Sequence, residues 1–219
     1  MDLHQIEVYL NSNDSQDRLK GLTELRQYDA ETAIPLLLKT RNDPEFIVRS
    51  FVAMGLGKKR SDEAFECLLE MLTADRDYNV RAEAANSIAL YGERSIPSLL
   101  AAFEQDEQWL VRRSILAAIA EMSAPEALYQ ICQIGLLDED LTVRDAAIES
   151  FALLAGSSRE AHALEALLPF VNADGWRTRY AVARALKPFN TPSAKSALSY
   201  LTKDTDHRVV GAALESLVP

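Results

Sequence analysis

The chain has 219 residues, of which 48% are apolar and 26% charged, a usage that excludes the low-hydrophobicity, high-charge composition of disordered proteins. Its formal net charge of −10 argues against a nucleic-acid binder, which needs a dense basic stripe to displace counterions from phosphates. No apolar run nears the roughly 20 residues of a membrane span, and Met1-Asp2-Leu3-His4-Gln5 has no basic segment ahead of an apolar core, so a cytoplasmic protein without membrane insertion is expected.

Seven arginines, Arg18, Arg49, Arg81, Arg112, Arg144, Arg177 and Arg208, follow one another at steps of 31, 32, 31, 32, 33 and 31 residues. A period in that range, held from end to end, marks a stack of one repeated supersecondary unit. The prediction is an all-α fold, a right-handed α-solenoid of about seven helix-turn-helix repeats. It forms one continuous domain over 1–219 whose terminal repeats act as caps.

Along the chain, Pro35, Pro97, Pro125 and Pro192 fall near the starts of first helices, where a missing N–H costs least. The segment from Asp62 to Gly92 displays one unit in full. Ala64, Phe65, Leu68, Leu69 and Leu72 form an apolar face, Thr73-Ala74-Asp75-Arg76-Asp77 supplies a turn, and Val80, Ala84, Ala85, Ile88 and Ala89 form a second face. Asp43, Asp75, Asp106 and Asp138 each stand six residues before a repeat arginine, where they are expected to cap the second helix. Gly57, Gly92 and Gly156 close second helices, suiting a left-handed residue there. Pro169, late in an apolar run, is expected to end or bend its helix. Toward the end, Arg184 and Glu215 occupy positions where the arginine count expects apolar residues, as a polar cap would.

The segments Asp43-Pro44-Glu45-Phe46-Ile47-Val48-Arg49 and Asp140-Leu141-Thr142-Val143-Arg144-Asp145-Ala146-Ala147 resemble the HEAT-like repeats of the cyanobacterial phycobilisome lyases, the E/F-type bilin lyase family. The resemblance runs over the whole chain and implies HEAT-like helix pairs in which the repeat arginine is a packing residue. The same role follows from chemistry, since a forked guanidinium can pair with turn aspartates of its own or the adjacent repeat. The alternative for these arginines is a row of anion sites.

No catalytic constellation emerges. His4, His162 and His207 lie far apart in the repeat register and no Cys-x-x-Cys occurs, so no metal site is expected. Cys67 and Cys132 read as buried free thiols. Gly55-Leu56-Gly57-Lys58-Lys59-Arg60 lacks the spacing and the Ser/Thr of a phosphate loop and reads as a basic helix end.

Counting from each arginine, the residues at −3, −2, +1, +2, +5 and +9 share one face of the second helix, which in a solenoid lines the concave side. This face carries Phe46, Ile47, Phe51 and Met54 in the second repeat, Tyr78, Glu83 and Asn86 in the third, and Trp109, Leu110 and Arg113 in the fourth. The fifth adds Asp145 and the sixth Arg179. Three aromatics at one register position, edged by charge, have the make-up of an interface core with a polar rim. The alternative is that the rings cover the seam between repeats. Trp176, just before Arg177, reads as core.

The stretches Gln108-Trp109-Leu110-Val111-Arg112-Arg113-Ser114-Ile115-Leu116-Ala117-Ala118-Ile119 and Gly175-Trp176-Arg177-Thr178-Arg179-Tyr180-Ala181-Val182-Ala183-Arg184-Ala185-Leu186 are similar to segments of the NblB-type phycobilisome degradation proteins within that family. The likeness implies binding to phycobiliprotein subunits, phycocyanin or allophycocyanin, near the phycobilisome. It also implies a role in phycobilisome degradation or in attaching or detaching the bilin chromophore. No cofactor is required; phycocyanobilin, a linear tetrapyrrole, would be a transient ligand whose propionates suit Arg113 or Arg179. Homo- or hetero-oligomers with a related repeat protein fit the same implication. The alternative function is a non-catalytic protein–protein scaffold using the same groove.

Overall fold

The structure is a computed structural model that describes residues 1–218. Every helical element expected from the repeat is present, and the chain divides into two compact units, Met1–Ala118 and the part from Ile119 onward. In the first unit the helices are α1 (Leu3–Leu10), α2 (Ser15–Glu24), α3 (Ala30–Thr40), α4 (Phe46–Lys59), α5 (Asp62–Ala74), α6 (Tyr78–Ala89), α7 (Ile96–Gln105) and all but the last two residues of α8 (Trp109–Ala120). The second holds α9 (Pro125–Gly135), α10 (Leu141–Phe151), α11 (Glu160–Leu167), α12 (Trp176–Ala185), α13 (Pro192–Leu201) and α14 (His207–Leu217). Odd-numbered helices are the first of each pair and even-numbered the second. Second helices stack on one another, α2 on α4 on α6 in the first unit and α10 on α12 on α14 in the second, while α1, α3, α5, α9 and α13 each pack on the second helix that follows.

A valine or its substitute one residue before the register position anchors each second helix from α4 onward: Val48, Val80 and Val111 in the first unit, Val143, Thr178 and Val209 in the second, all buried. Three, four and seven residues after the arginine come further buried side chains, such as Val52, Ala53 and Leu56 or Ala147, Ile148 and Phe151, which complete an apolar stripe of helical period. The alanines let second helices approach closely. Gly57 goes further, because a Cβ there would lie 2.7 Å from the Ser87 Cβ and 2.9 Å from the Ser87 carbonyl oxygen.

The burial pattern corrects the register of the last two repeats. Val182, Ala183 and Leu186 are buried, and they stand three, four and seven residues after Arg179, not after Arg177. The register positions are therefore 18, 49, 81, 112, 144, 179 and 210, with Val210 replacing the last arginine. The longer step from 144 to 179 holds a left-handed turn at Gly156, with φ +77°, and a 3-10 segment, Leu168–Asn172, that begins where α11 stops just before Pro169. Arg184 and Glu215 are then five residues past the register position, where exposed polar residues belong. They are not marks of a polar cap, and the core positions of α14, Leu214 and Leu217, are exposed leucines.

Three of the expected arginines, joined by Arg179, pair with a turn aspartate of the next repeat, while Arg177 and Arg208 are exposed instead. Arg18, Arg49, Arg81 and Arg179 each grip an aspartate 25 or 26 residues later through Nε and Nη2: Asp43, Asp75, Asp106 and Asp204, with Nε–Oδ2 distances of 2.6, 2.7, 2.6 and 2.6 Å. The Nη1 atom of each donates to carbonyls of its own turn, for example Ser12 and Asn13 for Arg18, or Ala173 and Asp174 for Arg179. The hydrogen bond each guanidinium donates to its aspartate raises its pKa against the cost of burial. Arg144 donates to the Asp138 carbonyl at 3.0 Å, and Pro169 and Phe170 stand at the offsets where the other repeats carry the receiving aspartate. Arg112 lies over the Phe103 ring at 4.6 Å.

The turn aspartates do not cap the second helices as expected. Their Oδ1 atoms accept the amide two residues on, as Asp75 does from Asp77, which leaves them facing the incoming arginine. Capping falls to residues four before the register position: Asp14, Asp77, Asp140 and Asp206 accept amides from the first turns of α2, α6, α10 and α14. Of the three helix-closing glycines, Gly92 and Gly156 adopt positive φ, while Gly57 lies inside α4 and Arg60 takes the left-handed backbone instead, with φ +50°. Pro97, Pro125 and Pro192 open their helices, whereas Pro35 sits within α3. Cys67 and Cys132 are free and buried, and burial raises both thiol pKa values.

Candidate functional site

The first residue of each second helix from α4 onward is Phe46, Tyr78, Trp109, Leu141, Trp176 and His207, all three before the register position. The buried valine sits two residues further on, about 200° around the helix, so when it points into the core the first residue points away. In the first unit, Phe46 is 41% exposed, Tyr78 45% and Trp109 44%, which are high values for rings of this size and place them on the surface as expected. Ile47 is exposed beside Phe46 and Leu110 half-buried beside Trp109, with Arg113 exposed one turn along. Asn86 is exposed. Glu83 is half-buried, and burial raises its carboxyl pKa although the Ser87 hydroxyl donates to it at 3.4 Å. Phe51 and Met54 are half-buried and line a cavity of their own, separate from the exposed ends of the helices.

In the second unit the register shift rebuilds the site. Arg179, expected on the open face, is held in its pair with Asp204; Arg177 and Arg208, expected to be structural, lie on the surface. Trp176 is not core. It opens α12 half-buried, and the Arg208 guanidinium carbon stands 3.2 Å from its ring centroid, with that of Arg177 at 5.6 Å. Tyr180 meets Trp176 edge to face, with centroids 6.5 Å apart, and Arg184 reaches over the Tyr180 ring at 5.8 Å. Arg208 is aimed by two hydrogen bonds to Asp206, at 3.0 and 2.7 Å, so its planar face is presented to the indole.

Carboxylates border this set. The half-buried Asp145 carboxyl is raised in pKa first by burial and then by Glu149, against the pull of Arg177 and Arg144, and its Oδ1 is buried without a hydrogen-bond partner. Arg184 lies in the field of Glu149 and Glu215. Two aromatic rings with three guanidiniums can bind a flat anion or an acidic surface. The set contains no nucleophile next to a base. Among the described residues no three His, Cys, Asp or Glu side chains are grouped to hold a metal ion, and no helix is long and apolar enough to cross a membrane.

Counting arginines missed Trp176, Arg177, Tyr180, Arg184 and Arg208. The signal that finds them is the apolar stripe itself, since Thr178, Val182, Ala183 and Leu186 repeat the spacing of Val48, Val52, Ala53 and Leu56.

The sequence pattern described as HEAT repeats matches residues 5–89 and 68–152, two overlapping stretches that span more than half of the chain. The chain belongs to the HEAT-repeat family. This HEAT-repeat protein is similar in fold to Escherichia coli YibA, with a TM-score of 0.62 at 17% identity over 99% of this chain and 92% of that one. It is also similar to the structure of the complex of CpcE and CpcF of phycocyanin lyase from Nostoc sp., with a TM-score of 0.56 at 18% identity over 99% of this chain and 95% of that one. Both are likenesses of fold. No curated protein matches it by sequence.

Proposed function

We propose that this HEAT-repeat protein binds phycobiliprotein subunits, phycocyanin or allophycocyanin, and handles their bilin during phycobilisome degradation or chromophore attachment and detachment. The observation that carries the reading is the exposed aromatic at the start of successive second helices, joined in the second unit by guanidiniums on Trp176 and Tyr180. A linear tetrapyrrole offers a flat conjugated face and two propionates, which rings and guanidiniums match respectively. The similarity in fold to a phycocyanin lyase chain and the resemblance of the Trp109 and Trp176 segments to NblB-type proteins support the same choice. No resident cofactor is needed for capture; phycocyanobilin enters as a transient ligand, and the work is done in the cytoplasm beside the phycobilisome. Pairing with a related repeat protein is part of the proposal.

The test is to mix the purified protein with intact phycocyanin and with allophycocyanin, following complex formation by gel filtration and the bilin band by visible absorbance. A complex with a shifted or lost band supports bilin handling. A complex with an unchanged spectrum assigns the protein to scaffolding, and the absence of any complex overturns the reading.

A further inference from the structure

A cavity of about 220 Å³ opens between α2 and α4, away from the exposed aromatic ends of the second helices. Its floor is made by the buried side chains of Leu22, Leu25 and Leu37, and Phe51 and Met54 form half-buried walls. Gly55 completes the lining; a Cβ there would lie 2.8 Å from Leu37 Cδ2, so the bare glycine lets Leu37 pack flat against α4. Counting about 30 Å³ per water, the space equals roughly seven waters, enough for a chain of six to eight carbons.

The rim carries charge of one sign. Arg26, Lys58 and Lys59 all line the cavity, and none has a carboxylate within ion-pair distance among the described residues. Lys59 Nζ donates to the carbonyls of Arg26 and Tyr28, which pins its charge at the mouth, and the Arg26 guanidinium lies 3.9 Å from Met54 Sδ. At longer range Lys58 acts electrostatically on Glu83 and Lys59 on Asp29. Three cations at an apolar mouth, in a chain of net charge −10, are local complementarity to an anion whose tail is apolar.

We propose that this cavity binds a small amphipathic carboxylate, with its hydrocarbon tail on Leu22, Leu37 and Phe51 and its carboxylate between Arg26 and Lys58. The unbranched thioether of Met54 adapts to the tail. The site goes beyond phycobiliprotein capture and is independent of it.

The test uses octanoate as the probe, 1-octanol as its neutral counterpart, and the full chain labelled at its methionine methyls. Four methionines give four resonances. Saturable octanoate binding is expected, with a Kd of about a few millimolar or tighter for a ligand of this size. The Met54 methyl should shift while buried Met71 stays in place. The double variant Arg26→Glu/Lys58→Glu, changed at exposed side chains only, should keep its helicity and lose about tenfold in octanoate affinity while 1-octanol binding is unchanged. Met54→Trp, which fills the cavity, should abolish both. Equal affinity of wild type and the double variant for octanoate, an unmoved Met54 methyl, or no saturable binding up to about 20 mM would each overturn the proposal.

Discussion

The Arg179 guanidinium holds the Asp204 carboxylate through two parallel hydrogen bonds, Nε–Oδ2 at 2.6 Å and Nη2–Oδ1 at 2.9 Å, with little of either side chain exposed. The same fork joins Arg18 to Asp43 and Arg49 to Asp75, so each pair ties the turn of one repeat to the turn of the next. Two residues before Arg179, Arg177 makes no such pair and faces solvent. Arg179→Ala should therefore destabilise the protein by about 3 kcal/mol, because it leaves the Asp204 charge buried without its partner. Arg177→Ala should change stability by no more than about 0.5 kcal/mol. Urea unfolding of both variants checks the register directly, since equal losses would contradict it.

These pairs also set an acid limit. The Arg179 hydrogen bond holds the Asp204 carboxyl below its ordinary pKa, and Asp75 is likewise held down because the bonds from Arg49 and the Asp77 amide outweigh the burial that pushes it up. A carboxyl depressed in the folded state favours folding when ionised. Its contribution is complete above the unfolded-state value of about 4 and is lost as the pH falls through the folded value. Urea midpoints should be level from about pH 7 to 5 and fall steeply below about pH 4. In Asp204→Asn, which is less stable at neutral pH, the acid fall should be shallower; an identical slope would remove Asp204 from the account.

Gly57 tests the close approach of α4 and α6. An alanine there would meet the Cβ, Cα and carbonyl oxygen of Ser87, and two of those three atoms are backbone. Gly57→Ala should cost about 1–3 kcal/mol by overpacking. Ser87→Ala should not rescue it, because the obstruction stays. A rescue measured by thermal unfolding would show that the Ser87 hydroxyl, rather than these three atoms, limits the approach.

The aromatic row makes a prediction about partners. Trp109 exposes 44% of its surface, so Trp109→Ala should leave helicity intact and lower stability by less than about 1 kcal/mol while weakening phycocyanin binding at least tenfold. Trp176→Ala should weaken binding as well, with a larger stability cost because the Arg208 stack goes with the ring. Surface plasmon resonance against immobilised phycocyanin, with circular dichroism as the control, separates the effects. Melting losses well above that limit in Trp109→Ala would make the ring a packing residue.

Much of this protein was legible in one dimension. The near-constant spacing of Arg18, Arg49, Arg81 and Arg112 located the helix pairs, and counting from them put Phe46, Tyr78 and Trp109 on an exposed face, where the structure has them. The count failed where the spacing stayed regular by coincidence: Arg177 and Arg208 continue the period, yet Thr178 and Val209 show that the core stripe has moved. Asp75 serves the stack and not the cap of α6 for a related reason. Its helix-start position is visible locally, but the arginine that claims it lies 26 residues away.

The all-helical repeat, the positions of its turns and the class of its surface residues are written in the local amino-acid pattern, because helical periodicity, turn chemistry and the bidentate preference of arginine for carboxylate act within or between neighbouring units. Tertiary structure decided which arginine serves the stack in the sixth repeat. Burial responds to the whole apolar stripe, and Val182, Ala183 and Leu186 together outweigh the position of a single charge. That rotation of α12 released Arg177 to the surface, locked Arg179 onto Asp204, and turned Trp176 from an expected core residue into the centre of the arginine–aromatic set.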